Sequence, residues 1–419
     1  MTGTPSASLN LHTYAAGFGD DLAHACIRDN TLCDGVCLDP WAGAGTSLLQ
    51  ARILGRPAIG IDIDPIACLI STATVTSYSK EELRTLRTAV SDFVASVRSV
   101  LTQQRIEEAS PLGSTLQIGT VAGMVPSNPS IEFWFAPVQR AILAALVGFS
   151  DTIAEKRQRD IVKLAISASI IHKWPKTLSL AMDVDHSRPH RTDRDDLSVP
   201  SQLQIFWSTF ERIIRKLNTI SSIVDWRAYV ELFRGDAELV LSKMEPDTVD
   251  YVITSPPYFD AIDYPRAHRL SQWWLWPDDP SLPRDNYLGL RSSRHPSPFE
   301  ESFRSMLPRH AQGLTWLKER YPAKHQRFCR YIFELNRVLA GLYRVVKPGG
   351  RVTLVLANNT VKTIVLPVVD IVVDLLRICG FRGVVSVERA IDPSRRRYPY
   401  GIAGFKGLMQ SEYLLNGMK

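Results

Sequence analysis

Leu38-Asp39-Pro40-Trp41-Ala42-Gly43-Ala44-Gly45-Thr46, followed one helix later by Ile59-Gly60-Ile61-Asp62-Ile63-Asp64-Pro65, is the part of this chain whose reading decides its fold. An apolar run, Gly35–Asp39, leads into the glycine-bearing turn Trp41–Gly45. A helical pattern follows over Thr46–Leu54, and then a second strand pattern over Pro57–Asp62. Strand, turn, helix and strand in that order predict a βαβ unit, and so a parallel sheet.

The same stretch carries chemistry. Gly43 and Gly45 have no side chains, so the backbone can turn sharply and a ligand can approach it closely. The helix that follows offers free N–H groups at its start. Asp62, ending the second strand, is placed to accept hydrogen bonds from two ribose hydroxyls. Asp39 can accept from an ammonium group. A ligand-free turn would use the same glycines, and it is the acid at the end of the next strand that favours a nucleoside. The loop has neither the Gly-Lys-Ser/Thr of a phosphate-binding loop nor a full G-x-G-x-x-G, which argues against ATP and NAD.

Outward from this unit the pattern changes. Residues 1–10 are polar, and residues 20–30 read as a helix. Residues 80–230 read as mostly helical, over 80–108, 136–150, 151–172 and 201–223. A polar stretch within them, 179–200, holds His186, Arg188, His190, Arg191 and Arg194 and reads as a long surface loop. Strand character returns at Val249–Thr254. Residues 280–325, rich in Pro, Arg and Ser, read as irregular. A helix is expected over 328–346, a turn at Lys347-Pro348-Gly349-Gly350, a strand over 351–356 and a helix over 364–379. Terminal strands are expected near 384–389 and 411–416. The predicted organisation is residues 1–79 and 231–419 as two parts of one α/β domain, interrupted by a helical insertion, 80–230.

A second constellation closes the strand at Thr254. Ser255-Pro256-Pro257-Tyr258 has two prolines that fix the backbone and remove two N–H donors, so acceptors dominate. It stands at the carboxyl end of a strand, where open α/β sheets bind ligands. Tyr258 adds a flat π face. A strand-ending turn with an aromatic lid would look the same in isolation.

Together these residues resemble the amino-group DNA methyltransferases, which make N4-methylcytosine or N6-methyladenine. Asp39-Pro40-Trp41-Ala42-Gly43-Ala44-Gly45-Thr46 is similar to their cofactor motif, usually D-P-F-x-G-S-G-T, with Trp41 for Phe and Ala44 for Ser. His12-Thr13-Tyr14-Ala15-Ala16-Gly17-Phe18 resembles the preceding H-x-Y-P-A-K-F segment, with Ala15 and Gly17 for Pro and Lys. Gly235-Asp236-Ala237 resembles the segment that contacts the cofactor adenine. Ser255-Pro256-Pro257-Tyr258 resembles the catalytic motif, in the Ser form typical of cytosine-N4 enzymes; adenine enzymes more often carry Asp or Asn there.

The resemblance covers residues 11–79, 233–276 and 340–419. It implies an α/β fold: a doubly wound, Rossmann-like methyltransferase sheet with a largely helical insertion. It implies S-adenosyl-L-methionine as cofactor, held by Tyr14, Phe18, Asp39, Pro40, Trp41, Ala42, Gly43, Gly45, Thr46, Asp62, Ile63, Asp236 and Ala237. It implies catalysis by Ser255, Pro256, Pro257 and Tyr258 on a flipped base in double-stranded DNA. An exocyclic amine is a poor nucleophile because its lone pair is delocalised into the ring. Accepting its two N–H bonds, by the Ser255 hydroxyl and the Pro256 carbonyl, favours the pyramidal nitrogen that attacks. The reading is a cytosine-N4 enzyme of a restriction-modification system or an orphan. Its alternatives are an adenine-N6 enzyme, an RNA guanine-amino methyltransferase, and an inactive DNA-binding protein.

The bulk properties agree with a globular protein that meets a polyanion. The 419 residues are 45% hydrophobic and 22% charged, with a formal charge of +6. Arg266 and Arg269, just after the catalytic motif, and Arg395-Arg396-Arg397 near the C-terminus are candidate phosphate contacts. Each would serve equally as an ordinary surface charge. Trp273, Trp274 and Trp276 are expected to pack in a buried helix. The six cysteines form no C-x-x-C pair, which predicts reduced thiols and no metal site. No signal peptide opens the chain and no apolar run reaches about 18 residues. The expectation is a prokaryotic cytoplasmic, nucleoid-associated protein with no membrane contact, partnered by double-stranded DNA and, unless it is an orphan, by a cognate restriction endonuclease.

Overall fold

The computed structural model describes residues 9–14, 17–103, 115–118, 121–172, 175–182, 197–260, 263–277, 279, 287–288, 298–361, 364–391 and 411–419. The chain divides into two compact units. One is Ala16–Asp64 with Asp225–Ile262 and Ser281–Lys419; the other is Met1–Ala15 with Pro65–Val224 and Asp263–Pro280. The breaks thus fall at 64/65 and 224/225, where the sequence suggested 79/80 and 230/231. The short segment 263–280 joins the second unit.

The first unit is built on seven strands: β1 (Cys37–Asp39), β2 (Ala58–Asp62), β3 (Val230–Arg234), β4 (Val249–Thr254), β5 (Val346–Leu356), β6 (Arg382–Ala390) and β7 (Ser411–Met418). Their order across the sheet is β6-β7-β5-β4-β1-β2-β3. All pairs are parallel except those of β7, which runs antiparallel to β5 and β6. The chain winds from β1 outward through β2 to β3, then returns to lay β4 on the other side of β1. This is a doubly wound sheet, and its winding reverses between β1 and β4. Interior parallel strands are covered on both faces, and β4 is buried at every position but Asp250.

The helix Pro322–Val345 lays Phe328, Ile332, Leu335, Leu339 and Leu342 into the core, at the three- and four-residue spacing of one face. Gly60 in β2 lets a helix approach closely. A side-chain carbon there would meet Leu48 Cδ1 at 2.6 Å and Leu232 Cδ1 at 2.8 Å.

Several expectations need correction. Residues 298–325 are not irregular: helices run over Pro298–Met306, Pro308–Gly313 and Thr315–Arg320 before Pro322–Val345 begins. Their prolines stand in first turns, where a missing N–H costs nothing. Buried Phe303, Leu307, Leu314 and Leu317 supply the apolar stripe. Residues 364–379 are not one helix. Ile364–Leu366 pairs antiparallel with Asn359–Val361, and the helix is Val368–Cys379. Pro367 separates them because the residue before a proline is driven to extended backbone. Lys347–Gly350 belongs to β5 as an irregularity in its pairing with β4.

The second unit contains helices Pro65–Val75, Lys80–Gln103, Pro137–Thr152, Lys156–Ile170, Val199–Ile223 and Tyr264–Leu275. Lys80–Gln103 starts at a capping box: Ser79 Oγ accepts from the Glu82 N–H at 3.1 Å, and Glu82 accepts from the Ser79 N–H at 2.7 Å. A hairpin, Thr115–Ile118 with Val121–Met124, was not foreseen. Its Gly123 faces Ala144 of Pro137–Thr152, and Gly148 of that helix faces Ala122. Backbone meets backbone here, and a Cβ at Gly123 would overlap the Ala144 carbonyl. Gly123→Val is therefore expected to cost about 3 kcal/mol or more, because neither element can yield. Urea unfolding checks this; a midpoint equal to wild type refutes the packing argument.

Candidate functional site

The site lies where the winding reverses, at the carboxyl ends of β1 and β4. β1 delivers Asp39 and β4 delivers Thr254 as neighbours, since the two strands pair in parallel. Thr254 Oγ1 donates to Asp39 Oδ1 at 2.5 Å. This bond joins the strand that ends in Ser255-Pro256-Pro257-Tyr258 to the strand that opens the glycine turn. Asp39 also accepts from the Trp41 N–H at 3.1 Å and from the Ser47 hydroxyl. With three internal donors, its carboxylate acts first as an anchor for the turn. Burial raises its pKa to about 6, against the pull of those donors.

The turn then follows from its glycines. Gly43 (φ 52°) and Gly45 (φ 77°) both occupy the left-handed region, where a side chain would be strained. Ala42 is buried, and its N–H donates to the Ile61 carbonyl at 2.9 Å, tying the turn to β2. Thr46 opens the helix Thr46–Ile53. Asp62 closes β2 with a buried carboxylate that accepts from the Gly43 N–H at 2.8 Å and the Asp64 N–H at 2.9 Å. Burial, and then the neighbouring Asp64 charge, raise its pKa to about 7. A carboxylate oxygen can accept from more than one donor, so these bonds leave room for a ribose.

A solvent-open cleft is lined by Pro40, Trp41, Ile63, Asp236, Ala237 and Leu288, together with Gly235, Glu238, Glu334 and Val338, and Ile63 follows Asp62 directly in the chain. Apolar walls from Trp41, Ile63, Leu288 and Val338 suit a flat ring. Asp236 also caps its helix by accepting from the Leu239 N–H at 3.2 Å. The residues present fit an adenosyl group: apolar faces for the ring, and a buried acid one residue before Ile63 for the ribose. The sequence reading missed Glu238, Leu288, Glu334 and Val338. Glu334 and Val338 are four apart on one helix, so they share a face, but nothing local says which cleft that face meets.

On the catalytic side, Pro256 is buried while Ser255, Pro257 and Tyr258 are half-buried. Ser255 Oγ lies 3.4 Å from the Tyr258 hydroxyl, a long contact. Burial pushes the Tyr258 phenol up to about 12, so it is neutral throughout the physiological range.

The remaining predicted residues are placed as follows. Phe18 is half-buried in the α/β unit, just before the helix Asp20–Asn30. Tyr14, in the helical unit, stacks on Tyr264 at 5.8 Å and tilts against His268 at 5.5 Å. His12 in that unit is buried, 3.0 Å from Ser167 Oγ, and burial lowers its pKa to about 3. Arg266 is exposed in the first turn of Tyr264–Leu275. Arg269 lies over the rings of Trp134 at 5.0 Å and Trp273 at 5.8 Å. Trp274 is buried, while Trp273 and Trp276 are partly exposed. Arg395, Arg396, Arg397 and the basic residues 186–194 lie outside the described residues. Among the described residues no helix is long and apolar enough to cross a membrane. Nor do any His, Cys, Asp and Glu gather into a potential metal site among them.

Residues 3–73 match the N6/N4 DNA methylase family model. The chain is 23% identical over 409 residues to the type II methyltransferase M.BsoBI of Geobacillus stearothermophilus, covering 89% of this chain and 78% of the relative. It is 22% identical over 406 residues to the type II methyltransferase M.MvaI of Kocuria varians, covering 90% and 83%. Among solved structures, a putative DNA modification methylase of Thermus thermophilus matches 44% of this chain and 52% of its own, at 20% identity and a TM-score of 0.25. A second structure of that protein, in complex with S-adenosyl-L-methionine, covers 44% of this chain and 53% of its own, at 21% identity and a TM-score of 0.24.

Proposed function

For a chain that belongs to the amino-methyltransferase family of DNA methylases, with S-adenosylmethionine as methyl donor, we propose methylation of cytosine N4 within a specific sequence of double-stranded DNA. The observation that best supports this reading is the Thr254–Asp39 hydrogen bond, which ties the entrance of the acceptor-rich loop to the strand that leads into Pro40 and Trp41 of the cleft.

Bound S-adenosylmethionine supplies a methyl group already activated by its sulfonium, so the protein needs no strong base. Asp62 accepts the ribose hydroxyls, and Trp41, Ile63 and Val338 flank the adenine. The Ser255 hydroxyl and the Pro256 carbonyl accept the two N–H bonds of the target amine and favour its pyramidal form. Pro256 and Pro257 hold these acceptors at fixed dihedrals, so alignment is the main contribution of the loop. The Tyr258 face stacks on the flipped base. Arg266, Arg269, Arg395, Arg396 and Arg397 are proposed to meet DNA phosphates. Ser at position 255 favours cytosine over adenine. The enzyme would act on the cytoplasmic chromosome, alone or alongside a cognate restriction endonuclease.

The test is to express the protein in bacteria that lack DNA methylation and to sequence their DNA by a method that reads modified bases. N4-methylcytosine confined to one short motif, and reduced with Tyr258→Ala, is the expected result. N6-methyladenine in its place would overturn the choice of base. Unmodified DNA would overturn the DNA reading and favour an RNA substrate.

A further inference from the structure

The residue directly after Ser255-Pro256-Pro257-Tyr258-Phe259 is Asp260, whose φ of 56° lies in the left-handed region. Only one other non-glycine residue among those described, Asp247, does the same. Such a conformation persists only where its surroundings hold it, and here three groups do. Phe259 is buried with its ring 5.1 Å from that of Phe328 and 5.6 Å from that of Tyr331. Its carbonyl accepts from Asn359 Nδ2 at 2.5 Å. A carbonyl can only accept, so the amide orientation of Asn359 is determined. The Asp260 carboxylate meets Lys324 Nζ at 2.6 Å and Arg327 at 3.2 Å.

Ion pairs this exposed contribute little to folding. Lys324 stands in the first turn of Pro322–Val345, where a cation opposes the helix dipole. An anion from outside relieves that conflict, and Asp260 provides it. The result is a clamp on the exit of the acceptor loop, while the Thr254–Asp39 bond secures its entrance.

We propose that Asp260 and Asn359, with Lys324 and Arg327, are positioning residues that hold the Ser255–Tyr258 loop in its reacting geometry. This rests on the reading of that loop as the methyl-transfer site. Neither Asp260 nor Asn359 is assigned contact with substrate or cofactor.

Two variants separate positioning from folding. Asp260→Gly allows the left-handed backbone at no steric cost and removes the side chain with its carboxylate. Asn359→Asp is isosteric and replaces the donor with an acceptor. Each is expected to lower kcat by about 10²-fold, since small misplacements of reacting groups are that costly. The Kd for S-adenosylmethionine, the melting temperature and the KM for DNA should stay near wild type. Hydrogen exchange of the Tyr258, Phe259 and Asp260 amides should quicken in both. Relative to wild type, Asn359→Asp should recover as the pH falls, because a protonated carboxyl can donate again. A kcat within about threefold of wild type in both variants would overturn the proposal. So would parallel losses of kcat, cofactor affinity and melting temperature, which would mark a structural role. If the wild type itself transfers no methyl group, the functional reading fails; the exchange measurement still decides whether these groups hold the loop.

Discussion

Asp62→Ala is expected to weaken S-adenosylmethionine binding by roughly 10²- to 10⁴-fold. Two hydroxyl donors to one carboxylate are worth about 1.5–3 kcal/mol each, and the loss converts directly into Kd. The variant also frees the Gly43 N–H, which Asp62 holds at 2.8 Å, so the turn loosens as well. Calorimetric titration measures the loss, and a Kd within about tenfold of wild type would sink the assignment of Asp62 to the ribose.

The same residue makes a pH prediction. Its pKa in the folded, ligand-free protein is about 7, raised from 3.8, chiefly by burial. The fold thus favours the protonated acid. That contribution to stability is full below pH 3.8 and is lost as pH rises through about 7. A ribose hydroxyl is better bound by the carboxylate. Cofactor affinity should therefore rise between pH 6 and pH 8, around the pKa of about 7, and Asp62→Asn should flatten the profile.

Tyr258→Ala should lower kcat/KM by about 10²-fold, because base stacking on an aromatic face is worth roughly 1–3 kcal/mol. Tyr258→Phe should stay within about fivefold of wild type. Among the described residues its hydroxyl makes only the 3.4 Å contact with Ser255, too long to contribute much. Steady-state kinetics on duplex DNA distinguish the two. Equal damage from Phe and Ala would mean that the hydroxyl, not the ring, is what the site uses.

Several features are legible in the amino-acid order alone. The βαβ opening can be read because its signals are local: alternation of apolar runs with a Gly-x-Gly turn, and an acid at the end of the next strand. Strand Val249–Thr254 is legible because a buried parallel strand is a short, mostly apolar run bounded by turn residues. The acceptor character of Ser255-Pro256-Pro257-Tyr258 is covalent, since a proline carries no N–H wherever it lies.

Other features misled or stayed silent. Residues 280–325 read as irregular for their Pro, Arg and Ser content, yet Pro298, Pro308 and Pro322 each open a helix. A proline's meaning depends on whether it falls in the first turn or the interior, and that depends on which apolar residues find a core. Strand β3 (Val230–Arg234) has no fully buried position, so its pattern is weak and pairing with β2 makes it a strand.

What the sequence by itself determined is therefore the local chemistry: a turn that glycine permits, a carboxylate after a strand, and a loop that accepts but seldom donates. Only the tertiary structure decided what those groups do to one another. Asp39 and Thr254 are 215 positions apart, yet strand pairing makes them hydrogen-bond partners. Glu334 and Val338 complete a cleft begun at Pro40. Lys324, Arg327 and Asn359 close on a loop that ends at Asp260. The physical reason is one of range. Backbone preference acts over a few residues, whereas burial, and the pKa shifts and long-range partners that follow from it, exist only once distant segments have packed together.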